Sequence, residues 1–106
     1  MKMLTKQEIL ERLDQNTEQF KEYGVRRLGL FGSYIRDEQK SKSDIDVLVE
    51  FERGMKTFDN YMELRFFLEE LLECKVDLLI YDALKPRLKS SIMREVEYAK
   101  GLHGLS

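Results

Sequence analysis

Asp44 and Asp46, separated by one residue, and the Gly32-Ser33 pair that precedes them across a ten-residue spacer (Tyr34 to Ser43) are the residues best suited to chemistry in this chain. The aspartates open a run of strand type, Asp44 to Phe51. In a strand, residues two apart stand roughly 6.5 to 7 Å from each other and point the same way. Both carboxylates are therefore predicted to present oxygens to one small space, where two Mg²⁺ ions about 3.5 to 4 Å apart are bridged. Asp77, on a later strand-like segment, is the candidate third acid. Hard carboxylate oxygens of this kind suit an ion carried in on phosphates better than a structural metal. Gly32 lets backbone approach a phosphate closely, and the helical turn predicted after it aims N–H groups and a positive dipole end at an anion, with the Ser33 hydroxyl as a further donor. Together these residues predict a triphosphate grip beside a metal-binding acid pair. The chain contains no GxxxxGK[ST], so a Walker-type site is not expected.

Other polar residues near the motif are secondary candidates. Ser43, the last spacer residue, is assigned to the nucleotide with Gly32, Ser33 and Arg36; for Arg36 the alternative is a surface ion pair with Asp37 or Glu38. Tyr34 is a candidate base-stacking residue and Lys42 a candidate phosphate contact, against ordinary core or surface placement. His103 has no carboxylate or serine partner in sequence range, so no catalytic role is assigned to it. The lone Cys74 cannot form an internal disulfide and reads as a small apolar core residue. Lys85, Arg87 and Lys89 read as the solvated start of a helix rather than an anion site.

The elements that must position these residues follow from periodicity and capping. Thr5 with Glu8 forms a capping box, and Ile9, Leu10, Leu13 and Phe20 give one apolar stripe, predicting a helix from Thr5 to about Tyr23 that ends at Gly24. A strand is predicted over about 25–31, a short helical segment around 34–37, and a polar loop over 38–43. In the second strand, Ile45, Val47, Val49 and Phe51 share one face and Asp44, Asp46, Leu48 and Glu50 the other. A second long helix is predicted over about 58–73, with Tyr61, Leu64, Phe67, Leu68, Leu71 and Leu72 inward. A third strand follows over 75–81. Pro86 precedes a last helix over about 87–100 that Gly101 ends, leaving 102–106 as a frayed tail. The first two strands are predicted antiparallel and the second and third parallel, across a crossover helix. The expected fold class is α/β (α+β), a small mixed three-stranded sheet covered by helices.

At 106 residues the chain has the size of one domain with one core, taken as residues 5 to 100. Charged residues make up 36% and the net charge is −2, which disfavours non-specific nucleic-acid binding because no dense basic surface is available to release counterions. No run is long and apolar enough to span a bilayer, and the stretch from Met1 to Leu4 is not that of a secretion signal; with the lone thiol, this predicts a cytoplasmic protein.

Each feature of the site is commonplace alone. Their conjunction is not: at average residue frequencies, the four fixed positions of Gly-Ser-x10-Asp-x-Asp would arise by chance in a chain this short about once in a thousand. GSYIRDEQKSKSDIDVLVEF resembles the signature of the DNA polymerase β nucleotidyltransferase superfamily, and specifically its minimal nucleotidyltransferases of bacteria and archaea. LEELLECKVDLLIYDALKPRLKSSIMREVEYAK is similar to the remainder of that small domain. The resemblance implies a palm-like nucleotidyltransferase fold, Asp44, Asp46 and Asp77 as the catalytic metal triad, and Gly32 and Ser33 as triphosphate contacts. It further implies that AMP passes from ATP to a tyrosine hydroxyl of a partner, a HEPN-domain ribonuclease toxin for which such proteins act as antitoxin. A catalytically silent antitoxin that works by binding alone is the alternative. Many relatives carry Arg-Gly after the Gly-Ser turn, whereas here Arg36 is followed by Asp37, an added negative charge near the expected phosphates.

Overall fold

The computed structural model describes residues 4–40 and 43–103. The elements run α1 (Lys6–Asp14), α2 (Thr17–Glu22), β1 (Val25–Phe31), β2 (Ile45–Phe51), α3 (Phe58–Leu72), β3 (Val76–Ile80), α4 (Pro86–Met93) and β4 (Glu97–His103), with short 3-10 turns at Gly32–Tyr34 and Tyr81–Ala83. The strands form one sheet in the order β3-β2-β1-β4. β1 and β2 are antiparallel and β2 and β3 parallel, as the connection lengths predict.

The first helix begins as its capping box dictates: Thr5 Oγ1 accepts from the Glu8 N–H at 3.1 Å and the Thr5 N–H donates to Glu8 Oε1 at 2.9 Å. It does not run unbroken to Tyr23. The Asn16 side-chain amide donates to the Arg12 carbonyl at 2.7 Å, taking the acceptor that its own backbone N–H would use in a continuing helix. That N–H turns to Leu13 O instead, and the chain restarts as α2 with Phe20 fully buried against the Phe67 ring edge. α3 follows its apolar stripe, with Leu64, Leu68 and Leu72 buried, the Thr57 hydroxyl capping its start and Glu73 in the left-handed region at its end.

The sheet has a fourth strand where the sequence predicts helix. The segment 87–100 is compatible with helical spacing at Ile92, Val96 and Ala99, yet α4 stops at Met93, and both Glu95 and Val96 N–H groups close on Ile92 O. Residues 97–103 then pair antiparallel with β1, Gly29 opposite Tyr98 and Leu30 opposite Glu97. The unpaired edge of β1 decides this, because its backbone groups need partners that no local pattern reveals. Gly101, expected as a helix end, lies within the strand at φ +80, where the pairing with β1 shifts register. Leu102, expected in a frayed tail, is buried; residues 104–106 of that tail lie outside the described residues. Pro86 is the first residue of α4 rather than a break before it, a position where its missing N–H costs nothing.

Two apolar clusters sandwich the sheet. Leu28, Leu30, Ile45, Val47, Val49 and Leu78 pack with α1, α2 and α3 on one face. On the other, Phe31 and Leu48 pack with Ile92 of α4, flanked by Leu79, Leu84 and Val96. That second face also carries the aspartates. Among the described residues, no helix is long and apolar enough to cross a membrane.

Candidate active site

β1 delivers the chain to Gly32 at the mouth of the second face. Phe31 is opposite Asp46 in the antiparallel pair, and Asp46 is opposite Asp77 in the parallel pair, so the register alone brings the end of β1 and two carboxylates side by side. Asp44 stands just ahead of β2, with the strand entry fixed by the Ile45 N–H donating to Lys75 O at 3.0 Å. Asp44 and Asp77 are exposed and Asp46 is half-buried.

Gly32 is required here by space and by backbone. Its φ is +80, and a Cβ added to it would run into the Asp46 carboxylate, which lies directly over the glycine. The Ser33 backbone N–H donates to the same carboxylate. Burial pushes the Asp46 carboxyl up to about 6; the neighbouring charges of Asp77 and then Asp44 add to the rise, while Arg36 and the Ser33 N–H oppose it. The charges of Asp77 and Asp44 thus bear on Asp46 beside the Gly32-Ser33 turn. The turn itself is a three-residue 3-10 segment over Gly32–Tyr34 rather than the helical segment expected around 34–37, too short to carry the dipole that a longer helix would supply.

The nucleotidyltransferase domain model matches residues 7–99. The chain belongs to this family. Among its relatives is the protein adenylyltransferase MntA of Thermococcus cleftensis, 41% identical over 99 residues that span 92% of this chain and 99% of that protein. A solved structure described as a candidate minimal nucleotidyltransferase superposes with a TM-score of 0.69 at 36% identity, covering 83% of this chain and 93% of that one. A structure of a tri-AMPylated Shewanella oneidensis HEPN toxin in complex with MNT antitoxin matches with a TM-score of 0.61 at 19% identity, covering 87% of this chain and 72% of that one; this supports the fold alone.

The remaining residues expected at the nucleotidyltransferase site divide. Arg36 lies at it, its charge felt by Asp46, but its guanidinium is engaged: Nε donates to Glu38 Oε1 at 2.9 Å and Nη1 to Glu95 Oε1 and Oε2 at 2.9 and 3.1 Å. Ser43 holds the loop, its hydroxyl accepting from the Lys40 N–H at 2.8 Å. Tyr34 is buried in the main core, where burial and the adjacent Cys74 raise its pKa, so it does not present a stacking surface. Cys74 packs against that core half-buried, close to its expected role. Lys42 lies outside the described residues. His103 closes β4, opposite Arg27. Asp37 is exposed at φ +58, a backbone state that glycine adopts freely and aspartate tolerates better than most residues. The Asp37 departure is therefore accommodated in the backbone.

One residue at the site has no signal in the sequence. Glu95 accepts from the Gly32 N–H at 2.7 Å while holding Arg36. Read as part of a helix from 87 to 100, it had no reason to approach Gly32.

For Mg²⁺, the donor set is of the right chemistry: hard carboxylate oxygens, with burial and then the charges of Asp77 and Asp44 disfavouring the ionised form of Asp46. Among the described residues, no three His, Cys, Asp or Glu side chains stand close enough to hold an ion unaided.

Proposed function

We propose that this nucleotidyltransferase moves AMP from ATP to a hydroxyl, a tyrosine of a HEPN-type toxin, and so acts as the antitoxin of that partner. The observation that carries the reading is the pairing of Asp46 with Asp77 on adjacent parallel strands, beside a turn in which only glycine fits over the Asp46 carboxylate. The adenylyl donor and the toxin partner come from the relatives: the Thermococcus protein bears the adenylyltransferase name, and the Shewanella antitoxin sits with an AMPylated toxin.

In this reading Asp44, Asp46 and Asp77 hold Mg²⁺, which when bound neutralises phosphate charge and eases loss of the acceptor proton. The Ser33 hydroxyl, which makes no hydrogen bond to the described residues, donates to a phosphate oxygen, and Arg36 faces the same charge. Gly32 keeps the approach open. The acceptor hydroxyl must be held within about 3 to 3.5 Å of the α-phosphorus, in line with the departing pyrophosphate. We assign the whole chain to one catalytic domain, whose segments are spent on a single sheet and its covering helices, so the partner's surface supplies and orients the acceptor. A free thiol suits the cytoplasm, where we place the reaction.

The silent-antitoxin reading draws on one observation, that Arg36 is already ion-paired within the chain. Incubation of both proteins with Mg²⁺ and ATP, followed by mass spectrometry, separates the two. The proposal expects the toxin to gain one or more AMP masses with wild-type protein and none with the Asp44→Asn, Asp46→Asn double variant. An unmodified toxin that is nevertheless neutralised supports binding alone.

A further inference from the structure

Glu95 sits where the chain leaves α4 and enters β4. Its backbone is fixed on both sides, by its own N–H and that of Val96 closing on Ile92 O and by the Leu30–Glu97 pair that begins the β1–β4 ladder. Carried two residues further, that register sets Glu95 opposite Gly32. The approach is close: a Cβ on Gly29 would stand 2.6 Å from Val96 Cγ2, so the segment after α4 crosses β1 at a distance only glycine permits.

The consequence is a turn held from both flanks. From the β4 side, the Glu95 carboxylate takes the Gly32 N–H at 2.7 Å. From the β2 side, the Asp46 carboxylate takes the Ser33 N–H. The Gly32 N–H is therefore taken up by Glu95, from the β4 side, and not by Asp46. The same carboxylate grips Arg36 with both oxygens, and the held guanidinium is near enough to Asp46 to stabilise its charge. Glu95 is mostly shielded, at 23% side-chain exposure, while Arg36 is at 49%, so the carboxylate is the fixed partner and the arginine the group being aimed.

We propose that Glu95 is a positioning residue for nucleotide transfer: it braces the Gly32-Ser33 turn through the Gly32 N–H and aims Arg36 at the charge of the bound triphosphate. The inference rests on the nucleotidyltransferase reading of the site and adds a residue to it. Two interactions are separable by substitution. Glu95→Gln keeps an acceptor for the Gly32 N–H but removes the charge that fixes Arg36, whereas Glu95→Ala removes both.

The test has a structural and a kinetic arm. In amide spectra of the nucleotide-free protein, Gly32 should show the downfield shift and slow exchange of an N–H bonded to a carboxylate, lost in Glu95→Ala and largely retained in Glu95→Gln. In transfer assays, Glu95→Ala should lower kcat/KM for ATP by about tenfold or more, the scale of one charge-assisted hydrogen bond. Glu95→Gln should act chiefly on KM, and its effect should disappear when Arg36 is already alanine. Folded Glu95→Ala protein with unchanged kinetics, or with a lowered KM for ATP, overturns the proposal; the lowered KM would instead make Glu95 a competitor of the phosphates. Failure of wild-type protein to bind or transfer the nucleotide would count against the parent reading, while the Gly32 amide arm would still report on the brace.

Discussion

At the scale of single residues, the site is governed by unfavourable charge held in place by backbone. Asp46 titrates near 3.8 when unperturbed and at about 6 in the folded chain, so between those values the folded form binds the proton more tightly. The stability linked to that proton is fully present below about pH 4 and is lost as pH rises through about 6. At neutral pH the ionised carboxylate therefore opposes folding. The nominal cost of such a shift is about 3 kcal/mol, reduced to about 1 kcal/mol because the group is half exposed and screened by solvent. Asp46→Asn should accordingly stabilise the metal-free protein by about 1 kcal/mol at pH 7.5 and by nothing at pH 4, read from urea denaturation, while abolishing transfer. A less stable variant at pH 7.5 would mean that the favourable contacts of the charged carboxylate, with Arg36 and the Ser33 N–H, outweigh its burial and the repulsion from Asp77 and Asp44. Ser33→Ala should weaken Mg²⁺-ATP binding by about 1 to 2 kcal/mol in calorimetry, the worth of one hydrogen bond to a charged acceptor. Gly32→Ala combines left-handed strain of about 1 to 2 kcal/mol with collision against Asp46, and should lower both stability and binding.

At the scale of elements, β4 is where local pattern and tertiary pairing disagree, and substitutions there distinguish the two. A frayed tail would tolerate any residue at 102, but Leu102 is 2% exposed in the main core. Leu102→Ala should cost about 2 to 4 kcal/mol in denaturant unfolding, the range for emptying a buried leucine site. No measurable loss would return this segment to a tail. The turn after Gly32 allows a gain in the opposite direction. Asp37→Gly removes left-handed strain at an exposed position and should stabilise by about 0.5 kcal/mol in urea denaturation, net of the entropy gained by the unfolded glycine. Unchanged ATP affinity in that variant would show that the Asp37 charge does not reach the phosphates.

At the scale of the whole molecule, one sheet with helices on both faces leaves the acids at the rim, open to a partner surface. Free tyrosine should therefore be a negligible acceptor beside the intact toxin when AMP incorporation is followed under equal Mg²⁺ and ATP, because in the proposed reading it is the partner's surface that holds the hydroxyl in line. Comparable rates with free tyrosine would place an acceptor pocket within the chain itself. The acid pair, the Gly-Ser turn, three strands with their directions and most of the helical structure were legible in the amino-acid sequence, because each is written in local terms: a period of two or of 3.6, a capping box, a fixed spacing. The break at Asn16 depends on which of two donors takes the Arg12 carbonyl, and local pattern does not rank them. β4 and Glu95 depend on more distant partners. The free edge of β1 recruits residues 97–103 from the far end of the chain, and that pairing carries Glu95 to a glycine 63 positions away. Spacing could assign the groups that bear charge, but only the sheet's register brings Asp46 beside Asp77 and Glu95 to the Gly32 N–H.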